Sequence, residues 1–165
     1  MSKTEEHLKE AFAGESQANR KYLAFAKKAD EEGLPRIAKL FRAAAHAETI
    51  HAMSHLKAMG GINSTADNLR AAVEGETYEY TTMYPEFIVD AEKEEIRKTM
   101  NYFKWASEVE KVHAGLYQKA LDNIEKGEVE MDYFVCPFCG YTHEGPLTGK
   151  CPVCGTPGEK FEKVS

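Results

Sequence analysis

The sequence predicts an all-α fold of four helices in two hairpins, followed by a small unit held together by four cysteines. Three observations predict it. Glu-x-x-His occurs twice, at Glu48–His51 and Glu110–His113, and follows Gly14-Glu15 and Gly75-Glu76 by 33 and 34 residues, counted Glu to Glu. Apolar residues recur at spacings of three and four through both stretches, which is the period of one helix face. All four cysteines fall in the last 30 residues, as two Cys-x-x-Cys pairs. The first ~125 residues thus read as one helical hairpin written twice.

The elements follow in order. Leu8, Ala11, Glu15, Ala18, Tyr22, Phe25 and Ala29 form the first helical seam, from Thr4 to about Asp30. Gly33-Leu34-Pro35 ends it, because Gly stops a helix and Pro can only open the next. Ile37, Phe41, Ala44, Glu48, His51, His55 and Ala58 form the second seam, stopped at Gly60-Gly61. Asn63-Ser64-Thr65 leads to a third helix from about Ala66, carrying Leu69, Ala72, Glu76, Glu79 and Met83. Pro85 lacks a backbone donor and is expected to kink or break that helix. Phe103, Ala106, Glu110, His113, Tyr117 and Ala120 form the fourth seam, ending near Gly127. The expected domains are 1–127, a helical bundle, and 128–165, a Gly/Pro/Cys-rich tail.

The hairpins align with a lag of 61 to 62 residues, pairing Glu15 with Glu76, Tyr22 with Met83 or Tyr84, Glu48 with Glu110 and His51 with His113. Glu79 falls opposite Ala18, so the second half has one more carboxylate. Charged residues make up 29% of the chain and apolar ones 42%, with a net charge of −6, so there is no electrostatic footprint for nucleic acid. No run approaches the roughly 18 apolar residues of a membrane span. The opening Met-Ser-Lys-Thr-Glu-Glu-His has no apolar signal core, which predicts a cytoplasmic protein.

A Glu and a His three apart share a helix face. Each of Glu15, Glu48, His51, Glu76, Glu79, Glu110 and His113 lies on the seam that also carries its helix's apolar residues. An unpaired buried carboxylate costs several kcal/mol, and five facing one another repel. Such an inventory calls for cations, as in the di-metal carboxylate sites of ferritin-like four-helix bundles. Carboxylate and imidazole donors suit iron or manganese and disfavour copper(I). His55 reads as a polar partner near the bundle end, and His7, His46 and His143 as structural or solvated. Tyr22 and Tyr84 fit two readings: aromatic filling of the core, or a phenol hydrogen-bonded to a ligating carboxylate.

Cys136-Pro-Phe-Cys139-Gly and Cys151-Pro-Val-Cys154-Gly form two knuckles separated by eleven residues. The glycine after each second cysteine permits positive φ and close approach of backbone N–H groups to sulfur. A tail this short cannot bury a sufficient core, so a metal must hold it. The spacing leaves iron and structural zinc both open.

Phe12-Ala-Gly-Glu-Ser-Gln-Ala18, Glu48-x-x-His51, Gly75-Glu-Thr-Tyr-Glu-Tyr80, Met83-Tyr-Pro85, Glu110-x-x-His113 and the Cys-Pro-x-Cys-Gly knuckles resemble, in their order, the signatures of the rubrerythrin family. The resemblance covers essentially the whole chain, with a connection after Gly60 shorter than in some members. It implies a ferritin-like di-iron bundle and a C-terminal rubredoxin-like iron held by Cys136, Cys139, Cys151 and Cys154, where zinc can substitute. It implies Glu15, Glu48, Glu76, Glu79, Glu110 and His113 as di-iron ligands, with His51 exchanging for Glu79 as one iron changes oxidation state. The implied activity is reduction of hydrogen peroxide to water, with rubredoxin or an NAD(P)H-dependent reductase as electron donor. Rival readings are a ferroxidase or iron-handling protein, and a zinc-ribbon interaction module on a structural bundle. The short connection further predicts a homodimer that exchanges helical hairpins, with no nucleic-acid or membrane partner.

Overall fold

A computed structural model of the protein describes residues 2–127 and 130–164. The expected domain boundary at 127/128 adjoins Glu128 and Val129, which lie outside the described residues. The chain forms two compact units, Met1–Asn63 and Ser64–Ser165. The division falls at the sequence repeat, and the cysteine segment belongs with the second helical hairpin.

The first unit is a hairpin of α1 (Lys3–Glu31) and α2 (Pro35–Ala58). Ser2 caps α1 in a reciprocal box with Glu5, satisfying two backbone donors that the first turn leaves free. The seam between the helices is alanine: Ala26, Ala29, Ala38, Ala45 and Ala52 are all buried. Side chains this small bring the two backbones close, and Asn19 of α1 then donates to the Ala45 carbonyl of α2 at 2.7 Å.

The second unit contains α3 (Thr65–Tyr78), a π-helical turn (Glu79–Met83), α4 (Tyr84–Lys93) and α5 (Arg97–Asn123). The break expected at Pro85 takes the form of this π turn, after which Pro85 sits in the first turn of α4. The helix runs on without a gap, and Tyr84 N–H reaches back five residues to Glu79 C=O, so it is the widened turn that makes room for a residue with no N–H. The π turn also explains the change of lag. Before it, Glu15 pairs with Glu76 at 61 residues; after it, Tyr22, Phe25 and Phe41 pair with Tyr84, Phe87 and Phe103 at 62. The aromatic trios superpose in their distances. Tyr22–Phe41 and Tyr84–Phe103 are both 6.2 Å, and Phe25–Phe41 and Phe87–Phe103 are both 5.5 Å. One residue has been inserted into the second hairpin, the wide turn absorbs it, and Tyr84 rather than Met83 is the counterpart of Tyr22.

The two interhelical turns repeat bond for bond. Leu34 N–H donates to Ala29 C=O and Ile96 N–H to Ala91 C=O, both at 2.8–3.0 Å, the 6→1 bond of a Schellman cap. The left-handed position is Gly33 (φ 73°) in one turn and Glu95 (φ 58°) in the other. A side chain in that region costs about 1–2 kcal/mol, partly offset by the ~0.5–1 kcal/mol entropy cost of glycine. Glu95→Gly is therefore expected to raise Tm by about 1–4 °C, measured by circular dichroism of the metal-free protein.

The cysteine segment packs on α5. Its antiparallel sheet has the order β2-β1-β3, from β1 (Tyr133–Val135), β2 (Thr142–Glu144) and β3 (Glu162–Lys163). Trp105 of α5 meets Phe138 with ring centroids 5.2 Å apart, and Lys119 pairs with Glu144. No helix among the described residues is long and apolar enough to cross a membrane.

Candidate metal centres

Each hairpin gathers one carboxylate from its first helix and a Glu-x-x-His pair from its second. Glu15, Glu48 and His51 form one cluster, and Glu76, Glu110 and His113 the other, with ligand atoms in each all within 4.8 Å of one another. The geometries match. Histidine Nδ1 lies 2.9 Å from Glu48 and 3.9 Å from Glu15 in the first, and 2.8 Å from Glu110 and 3.7 Å from Glu76 in the second. Helical spacing produces this, since i and i+3 side chains on α2 and α5 point the same way.

Glu79 stands apart from the three-residue group, at the first position of the π turn. Its carboxyl is raised by burial and then by the negative charge of Glu110, so it faces the same cluster. Tyr84 also lies in this field: burial raises its hydroxyl, and the charges of Glu110, Glu79 and Glu76 add to the effect. Tyr22 packs among the aromatics of the first hairpin.

Protonation follows the repeat. Glu15 is raised by its hydrogen bond to Glu48, while Glu48 is lowered by that same bond. Burial, followed by the bond to Glu110, pushes Glu76 up to about 7. Burial opposes ionisation of Glu110, but bonds from His113 and Glu76 outweigh it and lower this carboxyl. His113 is raised chiefly by its bond to Glu110. A raised carboxyl and a raised imidazole both stabilise the fold at low pH, and lose that contribution as pH rises through their folded-state values. The metal-free protein is therefore expected to lose Tm between pH 5 and 8, and Glu76→Gln to flatten the decline. A thermal series in chelator-treated buffers checks this.

The donor set fits a metal. His113 Nε2 lies 3.0 Å from Thr142 Oγ1, whose own hydroxyl donates to the Gly140 carbonyl at 3.2 Å. A hydroxyl whose hydrogen goes to the carbonyl can only accept from the ring, so Nε2 carries the hydrogen and Nδ1 turns its lone pair toward Glu110. A lone pair 2.8 Å from a carboxylate calls for a positive charge between them, either a proton or a cation.

The cysteines are preformed for a tetrahedral ion. Cys136–Cys154 and Cys139–Cys151 sulfurs are each 3.6 Å apart, against about 3.8 Å for the edge of a tetrahedron with ~2.3 Å metal–sulfur bonds. Neither pair is a disulfide. Gly140 (φ 84°) and Gly155 (φ 79°) take the left-handed conformation expected after each knuckle. Their N–H groups donate to the Cys136 and Cys151 carbonyls at 3.0 and 2.9 Å. Burial pushes the Cys139 thiol far up, whereas at Cys154 burial is outweighed by hydrogen bonds from Thr156 together with those from Cys139 and Cys136, which bring the thiol to about 7.

Four residues near these clusters carried little signal in the sequence. His55 lowers Glu15 through its charge. Its repeat counterpart Tyr117 is raised by burial, then by Glu76 and Glu110. The 62-residue lag could have paired them. Thr142 and Gly140 meet His113 only through tertiary packing. His143 plays the structural part expected of it, with Nδ1 3.0 Å from the Gly145 carbonyl.

Comparison with known proteins agrees with this architecture. A rubrerythrin family model matches residues 6–121, and a model of the rubrerythrin rubredoxin-like domain matches 134–162. Rubrerythrin-2 of Clostridium acetobutylicum is 33% identical over 96% of this chain and 95% of its own length. Nigerythrin of Nitratidesulfovibrio vulgaris is 37% identical over 98% of this chain and 86% of its own. A structure of nigerythrin in a partially reduced state superposes with a TM-score of 0.60, at 36% identity over 99% of this chain and 88% of that one. The chain belongs to the rubrerythrin family, with a ferritin-like helical domain joined to a rubredoxin-like four-cysteine domain.

Proposed function

We propose that the protein is a non-haem di-iron peroxidase that reduces hydrogen peroxide to water and is re-reduced through its own rubredoxin-like iron. One observation carries the reading: two matched carboxylate–histidine clusters share a chain with a preformed four-sulfur site. A site that only oxidised substrate iron would draw its electrons from that iron and need no built-in relay. The related nigerythrin has been solved in a fully reduced, all-ferrous state, which supports iron as the metal.

Glu15, Glu48, His51, Glu76, Glu79, Glu110 and His113 hold the pair in this reading, and Cys136, Cys139, Cys151 and Cys154 hold the third iron. Two ferrous ions together supply both electrons needed to cleave the O–O bond, and two protons complete two waters. The chain's residues divide the remaining work. His113 is held from behind by Thr142, whereas His51 is 54% exposed and its Nε2 has no partner among the described residues. His51 is thus free to enter and leave, in exchange with Glu79 on its wide turn. An iron held by the four cysteines would pass electrons back singly from a rubredoxin or an NAD(P)H-dependent reductase.

The working unit in this reading is a homodimer with exchanged hairpins. In a ferritin-like bundle α2 and α3 run parallel, so the connection must climb from below His51 to above Glu76. Seven residues from His51 to Ala58 and eleven from Thr65 to Glu76 amount to about 27 Å at ~1.5 Å per residue. The seven steps from Ala58 to Thr65 reach only about 23–25 Å fully extended, and Gly60-Gly61 are coiled into the α2 cap. Exchange removes the climb. It also covers apolar residues of the first hairpin such as Leu40 and Ile50, which are 68% and 55% exposed.

Mixing anaerobic, fully reduced, iron-loaded protein with hydrogen peroxide tests the reading. One peroxide should be consumed for every two electrons taken from the bundle site, in a protein that runs at twice 18.5 kDa and turns red when its cysteine iron is oxidised. A colourless, zinc-only protein that leaves peroxide untouched would overturn it. Rapid oxidation of added Fe(II) by dioxygen, with peroxide inert, would favour the ferroxidase reading.

A further inference from the structure

The two histidine clusters match in every distance except behind the ring. Nε2 of His51 has no partner among the described residues, while Nε2 of His113 lies 3.0 Å from Thr142 Oγ1. Thr142 opens β2 of the four-cysteine domain, two residues after Gly140 and three after Cys139. Its hydroxyl is 3.2 Å from the Gly140 carbonyl. The hydroxyl hydrogen is committed to that carbonyl, so Oγ1 can only accept from the imidazole. The bond fixes both the tautomer and the rotation of the His113 ring.

The face around it is well packed. The Trp105–Phe138 ring pair lies at 5.2 Å and the Lys119–Glu144 ion pair flanks the strand. The side chain of Val109, one residue before Glu110, lies 3.9 Å from where a Cβ on Gly140 would stand. Docking is therefore held by several contacts, of which the Thr142 hydroxyl is the one hydrogen-bonded to a candidate ligand.

We propose that Thr142 is a positioning residue for His113: by accepting the Nε2 hydrogen it aims the Nδ1 lone pair into the bundle site and makes that site's metal affinity depend on the docked cysteine domain. The inference rests on the di-metal reading of the bundle. It also accounts for the unequal histidines, one clamped by a neighbouring domain and one left to move. Partners that orient a ligating imidazole typically change metal affinity by about 10–100-fold.

Thr142→Val keeps the β-branched shape and removes the acceptor, and Thr142→Ser restores it. In full-length protein with its cysteine site already loaded with zinc, Co(II) is titrated into the bundle and followed by its visible absorption. Fluorescence of Trp105, the sole tryptophan, reports docking in the same samples. The Val variant is expected to bind Co(II) about tenfold more weakly, with the Trp105 spectrum unchanged and the Ser variant close to wild type. Unchanged Co(II) affinity in the Val variant would overturn the proposal. So would a loss of affinity accompanied by a shifted Trp105 spectrum, since Thr142 would then be holding the domain and not the ring. Failure of the wild type to bind Co(II) in the bundle would instead sink the di-metal reading itself.

Discussion

Cys139→Ser is expected to abolish donor-driven peroxide turnover, a fall of more than about 100-fold, while leaving the helices and one round of peroxide reduction intact. The cysteine domain has a minimal core of Cys136, Cys151 and Phe161, with Phe134, Tyr141, Leu147 and Val153 packed on it. Two of its three buried core residues are therefore metal-binding cysteines, and the free energy that holds the segment is largely metal-binding free energy. Serine is the right size, but its hydroxyl does not ionise near neutral pH and makes a poor ligand for a soft tetrahedral site. The helices draw on separate sources: the alanine seam of the first hairpin and the Ala91, Val109 and Ala114 packing of the second. Helical circular dichroism should stay within about a tenth of wild type, given that the lost segment is short and mostly irregular. A chemically reduced bundle at saturating iron should still consume one peroxide. Steady-state assays with a reduced rubredoxin, alongside stopped-flow single turnover, separate the two. Donor-driven turnover that survives without the cysteine metal would show that electrons enter by another route.

The repeat makes much of this legible in the sequence itself. A 61- to 62-residue lag places Glu15 with Glu76 and Glu48 with Glu110, and i,i+3 spacing forces each histidine beside its glutamate. Local geometry alone decides these placements. Cys-x-x-Cys-Gly likewise dictates its own turn, and both glycines adopt positive φ. The site was less legible wherever long-range packing decides. Pro85 announced a break but not its form. The π turn that absorbs the inserted residue and carries Glu79 arises from the need to keep the Tyr84, Phe87 and Phe103 trio in step with its counterpart. Nothing local to Thr142 announces a contact with His113, 29 residues away. The same is true of the docking of the cysteine segment on α5, which joins the tail to the second hairpin.

Glu79→Ala is expected to keep both metals and the fold, and to cut single-turnover peroxide reduction by about 100-fold, or roughly 2.7 kcal/mol in activation free energy. The repeat supplies the control, since Ala18 occupies the equivalent helix position in the first hairpin and is well accommodated there. In the metal-free protein Glu79 is a partly buried carboxyl, raised first by burial and then by Glu110. Its ionisation therefore opposes folding above its ordinary range, and removing it should leave the Tm of metal-free protein at neutral pH equal or higher. A loss of activity could then not be ascribed to unfolding. On the proposed ligand set, binding would persist through Glu15, Glu48, Glu76, Glu110, His113 and a more firmly engaged His51. What would disappear, on that reading, is the carboxylate proposed to compensate the higher charge of the oxidised pair. Imidazole, being neutral, could not replace that charge, so the oxidised product state would rise in energy and the barrier with it. Stopped-flow mixing of reduced variant with peroxide, with metal content and thermal melts on the same preparation, gives the three readouts. Peroxide consumption at the wild-type rate would remove Glu79 from the exchange with His51 and leave its conspicuous place at the π turn as a consequence of packing alone.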